Sequence, residues 1–355
     1  MDLTILDTDK TPLCVLDVYN SFIWTDRYFK YGDFELHASM NEVLLQYLKQ
    51  DYYITNANSE HVMIIEKLLI NSDIENGNTI TVSGRSLESL LERRIVWNRT
   101  TLSGNLQKGI KKLLNENVIS PSDSNRKIDN FIFEESTDSA ITGLTIDGQY
   151  TGDNLYEVIA SICQEKDIGF KITLNTSNQF VFKLYSGVDR SYGQSVNPYV
   201  VFSPNFENII ESNYIESKMA LKNVTLIGGE GEGTARKYTS VGTASGLDRR
   251  ELFTDARDVR SEDDDGNAIP EADYLEQLRQ RGREKLAENV DVVAFEGEAD
   301  VSTMFTYGVD FFMGDVVQIA NEYGHETKSR IVELISSESE EGVSTYPTFE
   351  YVDNN

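Results

Sequence analysis

Several stretches of the chain carry residue types that could bind phosphate, a metal ion or a substrate. The first is GGEGEG, in which Gly228 and Gly233 have the spacing of a Walker A loop. That loop needs Lys and then Ser or Thr after its last glycine, whereas Thr234 and Ala235 follow here. Thr234 also stands where a dinucleotide-binding turn requires Gly or Ala. We therefore interpret the stretch as a tight or bulged hairpin and expect no cofactor.

The run EDDDGN has the carboxylates of a calcium-binding loop. With Gly266 at the sixth loop position, the first four ligand positions of the loop are occupied by residues with side-chain oxygens: Ser261, Asp263, Asp265 and Asn267. The twelfth position requires a bidentate glutamate, but Ala272 occupies it. The run therefore predicts a solvated turn and no metal site.

Nucleophilic or acid–base catalysis would need a recognisable set of partners. GRSLE, ending at Glu88, resembles a nucleophile elbow but lacks its final glycine, and a helix N-cap at Ser86 explains it without chemistry. The chain has three histidines, His37, His61 and His325, and none has metal-ligand spacing to another His or Cys. We expect all three on strand or loop surfaces. The 59 acidic residues make any single carboxylate pair uninformative. We therefore predict no catalytic residue.

The aromatic run YNSFIWTDRYFKYGDFELHAS could form a ligand-stacking cleft or fill a barrel. In its last part Phe34 and Leu36 alternate with Glu35 and His37, which is typical of a half-buried strand. Five side chains are interpreted as sealing the first barrel or its contact with a neighbour: Trp24, Tyr28, Phe29, Phe34 and Leu36. Tyr31, beside the turn, is expected to be exposed. A sugar-stacking cleft is the alternative interpretation.

Composition excludes some classes of protein. The chain has 355 residues, is 39% hydrophobic and 26% charged, and carries a formal charge of −27. This charge repels phosphates and anionic lipids, so tight nucleic-acid binding and stable membrane insertion are not expected. No export signal or membrane span is recognisable. Cys14 and Cys163 are predicted to be core thiols, without a disulfide.

The periodicity of the chain predicts an α+β, mainly β fold. Six segments in the first hundred residues predict strands: LTILD, PLCVLDV, GDFELHA, DYYIT, HVMIIEKLLI and NTITVSG. NEVLLQYLKQ and SLESLLERRI predict helices between them. The middle part predicts a basic helix in GNLQKGIKKLLNENV, and a helix followed by a strand in GDNLYEVIASICQEKDIGFKITL. The latter helix has a buried stripe of Leu155, Val158, Ile159, Ile162 and Cys163.

A second strand-rich region follows. It begins with KNVTLIGGEGEG and ARKYTSVG, and resumes with VVAFEGEAD, GDVVQIA and SRIVELISS. Between the two groups lie the acidic loop and a helix, EADYLEQLRQRGREKLAE, whose acidic first turn and basic later turns suit the helix dipole. We interpret this loop and helix as an excursion from a second barrel.

Several segments occur in a particular order: WTDRYFKYGDFEL, TVSGRSLESLLERRI, GDNLYEVIASICQEKDIGFKI, GGEGEGTAR, GLDRRELFTDARD, DYLEQLRQRGREKLAE, GDVVQI and SRIVEL. Their order, over nearly the whole chain, resembles the tail-hub family of long-tailed phages, proteins at the base of the tail tube that are often fused to tail-associated lysins. Here the chain stops at YVDNN. We therefore do not carry over the enzymatic function of longer members.

The resemblance implies a baseplate-hub-like fold of two tail-tube-like β-barrels with inserted α+β domains. With the strand pattern, it predicts four parts: a first barrel at 1–97, a lateral α+β part at 98–212 and 246–290, a second barrel at 213–245 and 291–345, and a C-terminal tail at 346–355. On this division, strands at 224–227 and 316–319 belong to one barrel.

The resemblance also implies a function. The chain would be a structural hub that closes the distal end of a phage or prophage tail tube, as a homotrimeric ring through which DNA is ejected. Its expected partners are the distal tail protein, the tape-measure protein and tail-tip or fibre proteins. It would be made in the bacterial host cytoplasm and located at the virion tail tip. The alternatives are a carboxylate-dependent cell-wall hydrolase and a carbohydrate-binding baseplate component.

The acidity suggests a role in such a ring. Acidic side chains on a channel wall would let DNA pass, whereas a basic wall would bind its phosphates. We therefore expect acidic residues to predominate on the channel wall. The basic clusters should lie on outer or protein-contact surfaces: Lys108, Lys111 and Lys112, and Arg279, Arg281 and Arg283.

Overall fold

The computed structural model describes residues 2–74, 77–208, 213–296, 304–340 and 342–352. Strands dominate this part of the chain. The strands of its first half are β1 Leu3–Leu6, β2 Pro12–Leu16, β3 Ser21–Arg27, β4 Asp33–Ser39, β5 Tyr53–Asn56, β6 Val62–Asn71, β7 Thr79–Ser86, β8 Thr100–Asn105, β9 Phe131–Glu134, β10 Thr145–Tyr150, β11 Gly169–Leu174 and β12 Phe180–Tyr185. Those of its second half are β13 Val201–Phe202, β14 Asn213–Ser217, β15 Val224–Gly228, β16 Tyr238–Val241, β17 Glu251–Asp255, β18 Val292–Glu296, β19 Val316–Ala320, β20 Glu326–Ser339 and β21 Gly342–Tyr351.

The α-helices lie between the strand-rich ends of the chain, apart from one short helix near the start. They are α1 Leu44–Tyr47, α2 Leu106–Leu114, α3 Ser139–Thr142, α4 Leu155–Glu165 and α5 Glu271–Ala287. The fold is therefore α+β and mainly β, as the periodicity predicts. No helix in the described part of the chain is long and apolar enough to cross a membrane.

One large sheet joins the two ends of the chain. Its main path runs β14-β18-β21-β20-β3-β4-β7-β6-β5-β1-β2, and β13 and β19 join it through β20. The first part of β20, to Arg330, pairs with β19, and the last part, from Glu333, pairs with β3. A bulge after Ile331 separates the two parts. The long strand β20 therefore connects the C-terminal strands to the N-terminal ones.

Three smaller sheets lie outside this large one. They are β8–β10, the mixed sheet β9–β12–β11, and the mixed sheet β16–β15–β17. The expectation that 224–227 and 316–319 lie together is wrong at the level of sheets, because β15 is in the last of these and β19 is in the large sheet. The expected C-terminal tail at 346–355 is wrong over its first part, because β21 pairs with β20 as far as Tyr351. The rest of the predicted domain division stays a prediction.

Packing on α5 explains why β15 leaves the large sheet. The side chains of Thr225 and Ile227 point at this helix, and Gly282 lets it come close. A Cβ added at Gly282 would lie 2.8 Å from Ile227 side-chain atoms. The helix and its three strands have a small core of their own, with Ile227, Tyr274 and Leu278 among its buried side chains. The predicted excursion is thus a helix–sheet unit, which we call the lateral unit (β15–β17 and α5).

The aromatic run fills cores, as predicted. Phe22, Trp24, Phe34 and Leu36 are buried among the N-terminal strands. Tyr28 belongs to a different core, formed mainly by C-terminal side chains. The sugar-stacking alternative therefore has no cleft of aromatic rings in this run.

Two glycines make room for the Tyr28 ring. A Cβ at Gly169 or Gly314 would lie 2.4 or 2.3 Å from that ring, and Gly314 has a φ of +89°. The ring consequently ties the N-terminal strands to both the middle part and the C-terminal part. The exposed position expected for Tyr31 is wrong. Its side chain is half-buried, and its ring centroid lies 4.9 Å from that of Tyr156.

The helical predictions for α4 and α5 are confirmed. α4 buries the whole predicted stripe, and α5 spans nearly all of its predicted segment. SLESLLERRI instead forms a 3-10 helix over Leu87–Arg93, and α2 continues as a π-helical turn over Asn115–Ile119. NEVLLQYLKQ keeps only α1, because Leu48 turns to extended backbone and is buried in the N-terminal core.

Candidate functional site

A cleft of about 620 Å³ lies where the N-terminal strands, the middle part and the C-terminal part meet. Charged side chains of both signs line it: Asp26, Glu60, His61, Lys171, Arg190 and Asp315. Tyr185, Tyr307 and Phe312 supply part of its apolar lining. Since its walls come from three parts of the chain, the cleft forms only in the complete fold.

A buried ion pair lies beside this cleft. His61 Nδ1 is 3.2 Å from Glu88 Oε1, and both side chains are almost completely buried. Glu88 Oε1 also accepts a hydrogen bond of 2.7 Å from the backbone N–H of Ile172 in β11. Glu88 thus links the 3-10 helix, the start of β6 and the middle part.

The second buried carboxylate near the cleft is that of Asp26. Its Oδ1 accepts a hydrogen bond from Trp24 Nε1, and its Oδ2 accepts one from Ser59 Oγ, both at 2.8 Å. Ser59 Oγ in turn accepts from the backbone N–H of His61 at 3.1 Å. The hydroxyl of Ser59 therefore stabilises the turn before β6.

These neighbours set the protonation state of the pair. Burial opposes protonation of His61, but the carboxylates of Asp26 and Glu88 outweigh it and raise the pKa of His61 from 6.5 to about 9. Burial alone would raise the pKa of Glu88, but the His61 cation and the Ile172 N–H lower it below its ordinary value. The pair is charged at neutral pH.

This arrangement brings together Ser, His and acidic side chains but does not form a catalytic triad. A general base must accept a proton, and a histidine with a pKa of about 9 already carries one at neutral pH. The Ser59 hydroxyl donates to Asp26 and not to the imidazole. The geometry is suited to fixing three parts of the chain together.

The surface position expected for His61 is wrong. The segment HVMIIEKLLI did contain a signal for burial, namely the apolar run that follows His61. In the structure its first five residues are all buried. An unbroken apolar run, without alternation, is typical of a strand covered on both faces. Nothing in the sequence identified Glu88 as its partner, because the two lie on different elements and meet only through tertiary packing.

The other two histidines lie where they were expected. His37 is on strand β4, where Nε2 lies 2.7 Å from Glu35 Oε1 and Nδ1 lies 2.9 Å from Thr81 Oγ1. His325 lies in an exposed turn before β20. Ser86 does precede the 3-10 helix, but its Oγ accepts from the backbone N–H of Gly32 at 2.8 Å and does not cap the helix.

The glycine-rich stretch connects two antiparallel strands, β15 and β16, as a hairpin. The connection spans residues 229–237 and contains a 3-10 turn, so it is longer than the expected tight turn. The guanidinium of Arg236 donates to the carbonyl oxygens of Gly228 and Gly229 at 2.9 Å. The backbone carbonyl groups at the start of the loop are therefore bound by an arginine from the end of the same loop.

The acidic run forms the predicted turn. Asp263 Oδ1 accepts hydrogen bonds from the backbone N–H groups of Asp265 and Asn267, at 3.0 and 2.8 Å. Asp264 pairs with Arg99. Across residues 2–352, leaving aside the stretches that the structure does not describe, no cluster of His, Cys, Asp or Glu has an arrangement that could hold a metal ion.

The outer face of the lateral unit carries an apolar surface, which we call the lateral platform. Three side chains from its three strands are half exposed: Leu226 at 48%, Tyr238 at 49% and Phe253 at 51%. The Arg236 guanidinium lies 5.6 Å from the centroid of each aromatic ring. The opposite face of the same sheet is covered by α5.

A second apolar surface lies along strand β2 and is called here the β2 edge. In the described part of the chain β2 pairs with β1 alone, so its outer edge is free. Leu13, Val15 and Val18 are exposed there, the last two at 64% and 69%. Exposed apolar edge strands promote association unless a partner covers them.

The two basic clusters do not behave alike. Lys111 and Lys112 are half exposed, and Lys111 pairs with Glu135 at 2.7 Å. Arg281 is instead largely buried and pairs with Asp258 at 3.0 Å. Arg281 therefore holds α5 against a neighbouring element, which corrects its expected surface position, whereas Arg279 pairs with Glu276 within the helix.

Comparison with known proteins gives one family and one fold. The family described as Siphovirus ReqiPepy6 Gp37-like protein matches residues 2–349. Among curated proteins the sequence finds no match.

Solved structures of three tail proteins superpose on nearly the whole chain. Prophage tail protein gp18 from Listeria monocytogenes has a TM-score of 0.58 and 12% identity, over 100% of this chain and 96% of its own. The 43 kDa tail protein of prophage MuSo2 from Shewanella oneidensis has a TM-score of 0.61 and 12% identity, over 99% and 98%. A tail protein from Neisseria meningitidis has a TM-score of 0.60 and 11% identity, over 98% and 96%. At such identities the likeness shows the fold.

Proposed function

The chain belongs to the family of Siphovirus ReqiPepy6 Gp37-like proteins, and we propose that it is a structural hub of the phage tail. Three copies form a ring that closes the distal end of the tail tube. DNA leaves through this ring, and the distal tail protein, the tape-measure protein and tip or fibre proteins attach to it. The protein acts at the tail tip of the virion, after synthesis in the host cytoplasm.

The observation that carries this proposal is the single sheet that unites the two ends of the chain. The N-terminal and C-terminal strands have separate cores, yet β20 pairs with β19 through its first part and with β3 through its last part. Two strand-rich units are thereby fixed side by side. Three such tandems would place six similar units around one axis, which suits a closed ring.

The finer architecture belongs to the same proposal. We assign the first tube-type barrel to 1–97, the second to the remaining C-terminal strands with β13 and β14, and the lateral α+β part to the intervening residues. We change the predicted division in three respects, because β15 and β16 pair outside the large sheet, β13 pairs with β19, and β21 continues to Tyr351 in pairing with β20.

The charge of the chain suits passage of DNA. Three copies at −27 each would repel phosphates along a shared channel, and many basic side chains near the surface are neutralised within the chain. Lys111 pairs with Glu135 and Arg257 with Asp255, for example, both at 2.7 Å. We propose that acidic residues predominate on the channel wall.

Native mass spectrometry and particle images of the purified chain test the hub. We expect a trimer and a threefold ring with a central opening. A chain that stays monomeric at concentrations of about 100 µM, far above the dissociation constant of a stable assembly, would contradict the ring. In a map of the ring, a channel wall with as many Lys and Arg as Asp and Glu would contradict the acidic lining alone.

The proposed hub has no enzymatic role. The Ser59–His61 arrangement lacks a free base, as described above, and we predict no hydrolytic activity. Dye release from labelled peptidoglycan by the purified chain, if a single carboxylate substitution abolished it, would favour the hydrolase alternative.

A further inference from the structure

The charges that line the central cleft, the one of about 620 Å³ described above, largely neutralise one another. Three cations and three carboxylates lie in its walls. Lys171 Nζ is 2.5 Å from Glu60 Oε2, and Arg190 Nε is 2.6 Å from Asp315 Oδ2. A charged ligand would lose its hydration on entry and would find these counter-charges already paired. The lining therefore favours a neutral ligand.

The third cation, the His61 imidazolium, has an N–H group without an acceptor. Asp26 and Glu88 balance its charge and keep it protonated. Its Nδ1 faces Glu88 Oε1 at 3.2 Å, whereas its Nε2 has no hydrogen-bond partner in the described part of the chain. The side chain is only 8% exposed and lines the cleft. A buried donor of this kind is stabilised by an acceptor that a ligand brings.

Two further polar groups line the cleft without a partner among the described residues. The hydroxyl of Tyr185 makes no hydrogen bond, and burial raises the pKa of Tyr185 well above its ordinary value, so the hydroxyl keeps its proton. The exposed side-chain amide of Asn58 is also unpaired. A phenol and an amide both donate and accept hydrogen bonds. Ligand hydroxyl groups, which do the same, match them.

The cleft also has an aromatic surface. The ring of Phe312 is 45% exposed and lies in its wall, and Tyr307 lies there too. These rings come from outside the aromatic run near the N-terminus. An exposed ring can cover the apolar C–H face of a sugar. The volume of the cleft is within the usual range for small-molecule sites.

We propose that the central cleft binds a neutral sugar unit of a glycan. The ring of Phe312 stacks on the apolar face of the sugar. Sugar hydroxyl groups accept from His61 Nε2 and exchange hydrogen bonds with Tyr185 and Asn58. The site goes beyond the hub function and does not depend on it, because one copy of the chain supplies all of these groups.

Matched sugars of different charge test the chemistry of the site. Saturation-transfer difference NMR of the purified chain at pH 7 would use three neutral probes, glucose, galactose and N-acetylglucosamine. The charged counterparts are glucuronic acid, galacturonic acid, glucosamine and galactosamine. We expect at least one neutral probe to bind with a Kd of about 1–10 mM, which suits a small polar ligand. Its charged counterparts should bind at least about tenfold more weakly, because the cleft has no spare counter-charge.

Substitutions in the lining test its place. We expect Phe312→Ala, Tyr185→Phe and Asn58→Ala each to weaken binding of that probe at least about threefold, because each removes one contact. The matched control is Phe253→Ala, which removes a ring that is 51% exposed on the lateral unit. It should bind like the wild type. Equal thermal denaturation midpoints would establish that the variants fold, and Asn58→Ala, at an exposed amide, keeps the test open if Tyr185→Phe does not.

The outcomes separate this site from the hub. Absence of binding by all three neutral probes up to about 100 mM, far above the expected Kd, would overturn the proposal. A charged counterpart that binds as tightly would overturn the neutral class, and binding that Phe312→Ala and Phe253→Ala affect equally would overturn the cleft as the site. A monomer that binds sugar would contradict the hub alone, and a trimer that binds none would contradict the sugar site alone.

Discussion

Two glutamates in the described part of the chain are almost completely buried, one near the central cleft and one in the lateral unit. Glu88 lies against the imidazolium of His61, and its pKa falls below the ordinary value although burial acts to raise it. Glu284 on α5 has Tyr150 as its closest partner, with 2.5 Å between the hydroxyl and Oε1. Burial raises the pKa of Glu284, and Arg281, Tyr150 and Gln280 only partly offset this.

The difference lies in what faces the two carboxylates. Glu88 has a cation at 3.2 Å and a backbone N–H at 2.7 Å, both of which favour its charged form. Arg281 lies 3.8 Å from Glu284 and is shared with Asp258, which is closer at 3.0 Å. Equal burial therefore gives opposite shifts, because the charge state depends on the partners. The following substitutions test this comparison.

The largest effect is expected from Glu88→Ala. It leaves the buried His61 without its closest counter-charge and the Ile172 N–H without its acceptor, so we expect a loss of about 3–5 kcal/mol in the free energy of unfolding. Denaturant titration at pH 7 measures it. Glu92→Ala, on the same 3-10 helix but in a partly exposed pair with Arg85, should cost about 1 kcal/mol or less. Equal losses at both positions would contradict the role given to the buried pair.

The second effect is a dependence on pH. His61 titrates near 6.5 when unfolded and at about 9 when folded. Its stabilisation is therefore complete below pH 6.5 and is lost as pH rises through about 9. We expect a loss of about 3 kcal/mol over this range. Denaturant titrations of the wild type and His61→Gln measure it, and parallel pH profiles for the two proteins would refute the assignment.

A smaller effect is expected from Tyr150→Phe in the lateral unit. This substitution removes the hydroxyl that donates to Glu284 and leaves a buried acceptor with only Gln280 as a close donor. We expect a loss of about 1–2 kcal/mol. Thermal or denaturant unfolding measures it, with the exposed Tyr323→Phe as control. A change below the error of the control would mean that the short hydrogen bond does not stabilise the fold.

The smallest effect is expected from Glu284→Gln. Because the folded pKa is raised, the charged form costs stability once the pH exceeds 4.5, and the amide removes this cost while its carbonyl oxygen can still accept from Tyr150. We expect the free energy of unfolding at pH 7 to change by about 1 kcal/mol or less, and denaturant titration measures it. A loss as large as that of Glu88→Ala would show that both carboxylates depend on their charge, and the comparison would fail.

Much of the secondary structure could be predicted from local pattern. The stripe of α4 and the alternation of β4 are repeated often enough to specify their elements. The stretch at Leu87–Arg93 was harder, because helical spacing over so few residues does not distinguish a 3-10 helix from an α-helix. In this stretch Glu88 accepts a hydrogen bond from β11, and local sequence pattern does not reveal such a tertiary contact.

The central cleft and the two surfaces could not be predicted in the same way. The sequence predicts a surface position for His61, because its partners Glu88 and Asp26 are distant in sequence. The sequence also predicts a place in a second barrel for the strand at 224–227, because the pattern of a strand does not reveal which sheet it will join.

By itself the sequence determined the mainly β class, the strongly acidic composition and the resemblance to tail hubs, because these depend on composition and on the order of segments. Only the tertiary structure decided that β20 joins the two ends of the chain and that Gly282 seats α5 on β15. It also decided that His61 and Glu88 form a buried ion pair. The physical reason is that strand partners and buried ion pairs are non-local. The local pattern of a segment specifies which of its side chains can be buried, and the fold of the whole chain determines which residues cover them.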